Sequence, residues 1–215
     1  MKTCLVIGAG KFGKHLAIDL CEMGNEVMLV DRNESKIDEL SHRVTTSEIG
    51  DYTLYSNLDA LGIEDYDFIF VCVGGFQDSL VIVDHLKRLG AQMILAKASS
   101  SVHERFLNMA GADAIIYPER DSAYTTAVEY SNRKIFDYIK LSEEDGIYEI
   151  EAPDKWCGKS LEKLNIRKIH NVTVIASKTS ENKISAIRSA DYVFNKNEHI
   201  IVLGSKKDIS KLTKD

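Results

Sequence analysis

Three glycines near the start of the chain have the spacing of a phosphate-binding loop. Gly8, Gly10 and Gly13 form a G-x-G-x-x-G pattern between an apolar run at residues 4–7 and a helical pattern. The first glycine permits a tight turn, the second lets a pyrophosphate approach the backbone, and the third lets the helix pack closely on the strand. The N-terminus of the helix would then present free N–H groups to the phosphates. This context predicts a dinucleotide-type binding site.

An acidic residue stands where a ribose ligand is expected. A second apolar run, residues 27–30, ends at Asp31, eighteen positions after Gly13. A carboxylate there accepts hydrogen bonds from ribose hydroxyls and repels a 2′-phosphate, so NADP is disfavoured. Arg32 beside it weakens that exclusion because its charge attracts phosphate.

Two Tyr-x-x-x-Lys pairs are the candidates for catalysis. Tyr130 with Lys134 and Tyr192 with Lys196 have the spacing that places both side chains on one helical face, as in short-chain dehydrogenases. Residues 192–194 look like a strand or turn, which leaves the first pair. An NAD-dependent oxidoreductase that uses Tyr130 and Lys134 is therefore retained as an alternative to a protein without catalytic activity.

The elements that must position these residues alternate between strand and helix up to about residue 117. Long apolar runs such as residues 68–73 are typical of parallel strands that are buried on both faces. The pattern predicts an α/β fold, a Rossmann-type doubly wound parallel sheet. Predicted strands cover residues 4–7, 27–30, 68–73, 93–96 and 114–117, and predicted helices cover residues 14–24, 33–40, 77–89 and 103–109.

The alternation stops after Pro118. Residues 122–138 form one long helical pattern, and three β-type segments follow at residues 147–150, 172–176 and 199–203. We therefore expect a Rossmann-type nucleotide-binding domain over residues 1–138 and a smaller α+β domain over residues 139–215. A domain of that size gains stability from dimerisation.

Composition narrows the class of protein. The 215 residues are 44% hydrophobic, and 27 Lys and Arg against 33 Asp and Glu give a net charge of −6, which argues against nucleic-acid binding. The four scattered cysteines indicate a reducing compartment, and the six histidines, which lack metal-ligand spacing, are expected at the surface. No apolar stretch reaches the length of about 20 residues that crosses a bilayer, and no signal peptide is expected, so we predict a cytoplasmic protein.

Further motifs follow the glycine loop in a fixed order. They are Gly-Asp-Tyr-Thr at residues 50–53, Leu-Gly-Ile at 61–63, Asp-Phe at 67–68, Gly-Ala-Asp at 111–113 and Tyr-Pro-Glu-Arg-Asp at 117–121. With these motifs the chain closely resembles, over essentially its whole length, the cytosolic regulatory subunits of Trk/Ktr potassium uptake systems. In that family an RCK N-terminal (KTN) domain precedes an RCK C-terminal (TrkA-C) domain.

The resemblance implies a function and partners. Such subunits bind ATP, ADP or NAD(H), form homodimers that assemble into an octameric ring, and gate an integral-membrane potassium transporter at the inner face of the membrane. It implies no catalysis and no direct membrane insertion; a sensor of the NAD⁺/NADH balance is a further alternative. By position, the implied nucleotide-binding residues are Gly8, Ala9, Gly10, Lys11, Phe12, Gly13, Asp31, Arg32, Asp51, Tyr52, Thr53, Val73, Gly74, Gly75, Lys97 and Glu119.

Some of these residues carry a more specific implication. Lys97 and Glu119 are expected near the phosphates and the dimer interface, and Glu119 is a candidate ligand for Mg²⁺ or Ca²⁺ between protomers. The alternative is that Glu119 only stabilises the N-terminus of a helix. Tyr52 replaces a small alanine and either stacks on adenine or partly fills its pocket.

Two departures from the family pattern concern ligand choice. ATP-responsive relatives often carry Arg where this chain has Lys11, which loses the bidentate fork for phosphate. Cyclic di-AMP binding in some relatives uses paired apolar residues and an arginine. Arg167 matches, but Glu162 places a charge at an apolar position and no proline lies near residues 186–190, so we do not expect cyclic di-AMP to bind.

Overall fold

Six parallel strands form the sheet of the first part of the chain in a computed structural model, which describes residues 1–179 and 181–214. The elements are β1 (Thr3–Ile7), α1 (Lys11–Glu22), β2 (Glu26–Asp31), α2 (Glu34–Leu40), β3 (Thr46–Ile49), α3 (Tyr55–Asp59), β4 (Phe68–Val71), α4 (Phe76–Arg88), β5 (Ile94–Lys97), α5 (Ser101–Ala110) and β6 (Ala114–Ile116). Their order in the sheet is β3-β2-β1-β4-β5-β6. The predicted Rossmann-type fold is confirmed.

The central strands have the sequence that burial on both faces requires. In β1, Leu5 pairs with Met28 of β2 on one side and with Ile69 of β4 on the other. Leu5 and Val6 are both fully buried, although they point to opposite faces and belong to two different apolar clusters. Each cluster is closed by helices, so the carboxyl ends of the strands are the part of the sheet left open to a ligand.

The remaining elements form a smaller antiparallel sheet with helices. They are α6 (Pro118–Ser131), β7 (Ile135–Lys140), β8 (Asp145–Glu151), α7 (Leu161–Leu164), α8 (Ile166–His170), β9 (Thr173–Lys178), β10 (Ile184–Ala186), β11 (His199–Ser205) and α9 (Lys206–Leu212). The strand order is β10-β9-β11-β8-β7. Trp156, Tyr148 and Phe194 are its largest buried side chains. The predicted smaller α+β domain is confirmed.

The single helix predicted over residues 122–138 is wrong. The helix α6 ends at Ser131, and Ile135 and Tyr138 instead pair with Ile150 and Tyr148 of β8. A β-bulge between Ile135 and Asp137 separates the two inward-facing residues by three positions instead of two. The bulge therefore gives a strand the residue spacing of a helix.

The chain divides into two compact units, Met1–Glu119 and Arg120–Asp215, within the first turn of α6. The domain boundary predicted from the sequence, between residues 138 and 139, stays a prediction. Across the part of the chain that the structure describes, no helix has the length and apolar character to cross a membrane.

Candidate functional site

A cleft lies at the carboxyl ends of β1 and β4, where the strand order reverses. Open α/β sheets bind their ligands at this point. The cleft holds about 620 Å³, a volume that includes the open solvent at its mouth. The lining residues are Ile7, Gly8, Gly10, Val30, Asp31, Arg32, Lys36, Gly50, Asp51, Tyr52, Thr53, Cys72, Val73, Gly74, Gly75, Asp78 and Ile82.

The predicted binding residues fall into two groups. Those that line the cleft are Gly8, Gly10, Asp31, Arg32, Asp51, Tyr52, Thr53, Val73, Gly74 and Gly75. Ala9, Lys11, Phe12, Gly13, Lys97 and Glu119 are not among the lining residues. Of the second group, Ala9, Lys11, Phe12 and Gly13 belong to the same loop and helix start as Gly8 and Gly10.

The three glycines of the loop meet different surroundings. Gly8 has φ +107°, and a Cβ there would lie 2.9 Å from the backbone carbon of Cys72. A Cβ on Gly13 would lie 2.0 Å from the carbonyl oxygen of Gly8. A Cβ on Gly10 would meet no heavy atom of the described residues within 4 Å. Gly8 and Gly13 therefore serve the fold, whereas the absence of a side chain at Gly10 leaves open space beside the loop.

Asp31 joins the glycine loop to the end of β2. Its Oδ2 accepts the backbone N–H of Ala9 at 2.7 Å and its Oδ1 accepts that of Asn33 at 2.9 Å. The ammonium of Lys36 lies 3.3 Å from Oδ2, and only 9% of the Asp31 side chain is exposed. A carboxylate has about four acceptor positions, and three donors already occupy Asp31, so about one acceptor position remains free for a ligand.

Tyr52 is part of the core and also lines the cleft. It is 4% exposed, and its ring lies beside Gly50, where a Cβ would be 3.1 Å from Cε2. Burial, together with the nearby Glu48 carboxylate, raises the pKa of the Tyr52 hydroxyl. The buried ring fills space at this side of the cleft, and both roles given for it toward adenine stay predictions.

The neighbouring Asp51 is exposed, and its side chain stabilises the turn that follows it. Its Oδ1 accepts the hydroxyl of Thr53 at 2.7 Å and the N–H of Thr53 at 3.0 Å. These hydrogen bonds lower the pKa of Asp51, so the carboxylate stays ionised.

Lys97 and Glu119 form an ion pair with each other. Lys97 Nζ lies 2.7 Å from Glu119 Oε1, and it also lies 5.9 Å from the centre of the Phe12 ring. The hydrogen bond from Lys97 is the main cause that lowers the pKa of Glu119. Within the ranges 1–179 and 181–214 there is no cluster of three or more His, Cys, Asp or Glu that could hold a metal.

The geometry required for the oxidoreductase alternative is absent. Tyr130 is 85% exposed near the end of α6, and Lys134 lies in the turn beyond that helix. The two side chains do not share a helical face, because the helix ends at Ser131. Tyr192 is also outside any helix, and its hydroxyl donates to Glu198.

Two charged residues of the cleft were not predicted from the sequence. Lys36 reaches Asp31 from the first turn of α2, and Asp78 lies on α4, 3.8 Å from the guanidinium of Arg32. The sequence offers one signal for them: Lys36 follows Asp31 by five residues, and Asp78 follows Gly75 by three. Cys72 also lines the cleft, and burial raises its pKa to about 12, so it remains a neutral thiol.

Comparison with known families agrees with this architecture. The sequence model of the TrkA-N domain matches residues 4–118, and that of the TrkA-C domain matches residues 147–215. The chain belongs to the Trk/Ktr family of regulatory subunits. The Ktr system potassium uptake protein C of Bacillus subtilis (strain 168) is 36% identical over 214 residues, which are 99% of this chain and 96% of that protein. The Ktr system potassium uptake protein A of the same organism is 33% identical over 211 residues, which are 98% of this chain and 95% of that protein.

Solved structures show the same fold for this Trk/Ktr family member. The GsuK channel bound to NAD superposes with a TM-score of 0.68 at 18% identity, over 98% of this chain. The chain spans 38% of the length of that channel chain. The Shewanella denitrificans Kef C-terminal domain in its AMP-bound form superposes with a TM-score of 0.52 at 23% identity, over 59% of this chain and 78% of that one.

Proposed function

We propose that this chain is a nucleotide-binding regulatory subunit that gates a membrane potassium transporter. The observation that carries the proposal is the cleft at the strand-order reversal, where the open space beside Gly10 faces the Asp31 carboxylate within a Trk/Ktr family chain. The named relatives are potassium uptake proteins. The ligand is an adenine nucleotide, either ATP or ADP or NAD(H).

The cleft has the properties of a binding site without catalysis. A general acid or base works best with a pKa near neutral pH. The pKa values of Tyr52 and Cys72 are raised by burial, whereas that of Asp51 is lowered. None of these three groups exchanges a proton near pH 7, which supports a regulator over an enzyme.

Regulation follows from a difference in affinity between two states. A nucleotide that binds one arrangement of the subunits more tightly shifts the population toward it, and only by that difference. Unequal affinities for NAD⁺ and NADH would make the same site a sensor of redox balance. Cyclic di-AMP is not proposed as a second ligand, because Glu162 is charged.

Assembly with further copies is part of the proposal. Among the described residues of α6, none is fully buried, and Tyr130 is 85% exposed. A helix with so little buried surface is suited to pack against a second copy in a homodimer, and dimers would assemble into an octameric ring. The ring would sit in the cytoplasm at the inner face of the membrane, held there by its transporter.

A divalent cation, Mg²⁺ or Ca²⁺, would bind where two copies bring their Glu119 carboxylates together. Glu119→Gln should remove the stabilisation of the dimer by Mg²⁺ or Ca²⁺, because an amide is a weaker ligand for these ions. Analytical ultracentrifugation with and without each ion measures the effect. Asp121→Asn is the matched control on the same helix. A cation effect that persists in Glu119→Gln would show that Glu119 serves only the helix and its ion pair with Lys97.

Potassium uptake in the native cell tests the function directly. Deleting the gene should slow uptake when external potassium is low, and the wild-type chain should restore it. An Asp31→Ala chain expressed to the same level should not. Full restoration by Asp31→Ala would contradict regulation through the cleft, and unchanged uptake after deletion would contradict the transporter partner.

A further inference from the structure

A buried histidine connects two segments beside the nucleotide cleft. His103 on α5 is 1% exposed, so the expectation that the histidines lie at the surface is wrong for this residue. Its Nε2 lies 2.7 Å from Oγ of Ser79 on α4, which is fully buried. Its Nδ1 lies 3.2 Å from the backbone nitrogen of Ser99 and 3.1 Å from Oγ of the same residue. Neither His103 nor Ser79 lines the cleft.

The hydrogen bonds determine which nitrogen carries the proton. A backbone N–H can only donate, so Nδ1 of His103 must accept from Ser99. The imidazole is then neutral with its proton on Nε2, which donates to Ser79 Oγ. The Ser79 hydroxyl in turn donates to the carbonyl oxygen of Phe76 at 2.9 Å. The result is a directed chain of hydrogen bonds from Ser99 through His103 to the first turn of α4.

Both ends of this chain adjoin residues of the proposed site. Phe76 directly follows Gly74 and Gly75, which line the cleft. Ser99 follows β5, which ends at Lys97, and its carbonyl oxygen also accepts the hydroxyl of Tyr117 at 3.0 Å. The imidazole thus bridges the two chain segments that follow β4 and β5 at the carboxyl edge of the sheet.

We propose that neutral His103 is a positioning residue that holds the first turn of α4, and with it Gly74 and Gly75, in the nucleotide-binding arrangement, and that protonation of His103 releases this turn. The inference rests on the proposed nucleotide binding. A second proton on the imidazole would sit on Nδ1, where the Ser99 hydroxyl at 3.1 Å would have to turn to accept it, and the backbone N–H of Ser99 would lose its acceptor.

Burial favours the neutral state. It lowers the pKa of His103 below its ordinary value. Nucleotide affinity should therefore be constant above this lowered pKa and should fall as the pH decreases through it. The titratable and charged side chains on the elements around the imidazole are Asp78, Asp84, His85, Lys87 and Arg88 on α4, Lys97 at the end of β5, and Glu104 and Arg105 on α5.

Calorimetric titration with NAD⁺ and with ADP, from about pH 8 to about pH 5, tests the proposal. Whichever of NAD⁺ and ADP the wild type binds, His103→Leu should bind it about three- to tenfold more weakly at the upper pH. The affinity of this variant should also no longer fall at low pH (the acid limb of the profile). His103→Asn, whose Oδ1 can still accept from Ser99 but does not titrate, should recover part of the affinity without the acid limb. His42→Asn, at an exposed position, should follow the wild type throughout.

Unchanged affinity and an unchanged pH profile in His103→Leu and His103→Asn would overturn the inference. Hydrogen exchange of the nucleotide-free proteins keeps its failure distinct from that of the proposed function. His103→Leu should speed exchange at the amide of Ser99 and in the first turn of α4, while Leu107, on the same helix, keeps its protection. If the wild type binds neither probe, nucleotide binding fails, and with it the proposed role of His103 in positioning the site. If His103→Leu leaves exchange at Ser99 and in the first turn of α4 unchanged, the proposed hydrogen-bonded bridge through His103 is also overturned.

Discussion

Gly13→Ala is expected to destabilise the first unit by about 3 kcal/mol, among the largest effects of any single methyl group. The added Cβ would lie 2.0 Å from the Gly8 carbonyl oxygen and 3.0 Å from Cβ of Cys72. The first contact is with backbone, so relief requires moving α1 away from β1. Thermal unfolding followed by circular dichroism should show a melting temperature lower by roughly 6–12 °C.

Gly10→Ala is the matched control for this prediction. Its Cβ would have no described heavy atom within 4 Å, and its φ of −71° suits any residue. Its melting temperature should stay close to that of the wild type, since the substitution costs less than about 1 kcal/mol at a helix N-cap. Equal melting temperatures for Gly13→Ala and Gly10→Ala would contradict the close packing of α1 on β1.

Asp31→Ala should weaken nucleotide binding by about ten- to hundredfold. The substitution removes the acceptor for ribose hydroxyls and also the acceptor for the N–H of Ala9 in the glycine loop. Removing a negative charge would by itself favour an anionic ligand, so simple electrostatics predicts the opposite change. The direction of the effect therefore separates a ribose ligand from a general charge effect. Calorimetric titration of folded Asp31→Ala with ADP and NAD⁺ measures it.

Asp78→Asn provides the control for charge. This carboxylate also lines the cleft, but it is 41% exposed and its ion pair with Arg32 is long, at 3.8 Å. The variant should bind nucleotide as well as the wild type or better, because it loses one negative charge. Equal weakening in Asp31→Ala and Asp78→Asn would argue that Asp31 has no specific role.

The elements around the cleft could be predicted where they are buried, because buried strands appear in the sequence as apolar runs. The strand β1 and the glycine loop are recognisable because an apolar run leads into glycines at fixed spacing. The strand β3 (Thr46–Ile49) was missed because it lies at the sheet edge, is polar and pairs only with β2. Thr46 of β3 pairs with Met28 because β2 offers a free edge, and the composition of β3 itself does not predict this pairing.

The site was less predictable than the fold, since it depends on which side chains meet in space. The sequence shows that Lys36 follows Asp31, but only the turn of α2 brings the ammonium back to that carboxylate. His103 has helical spacing, yet its hydrogen-bond partner Ser79 is 24 residues away. A local pattern carries no information about such pairs.

Nucleotide binding in the cleft is best measured by calorimetric titration of the purified wild-type chain, stripped of bound ligand, with ATP, ADP, NAD⁺ and NADH. At least one of them should bind saturably at one site per chain, with a large loss of affinity in Asp31→Ala but not in Asp78→Asn. Absence of binding by all four nucleotides in a folded, ligand-free protein would contradict nucleotide binding in the cleft.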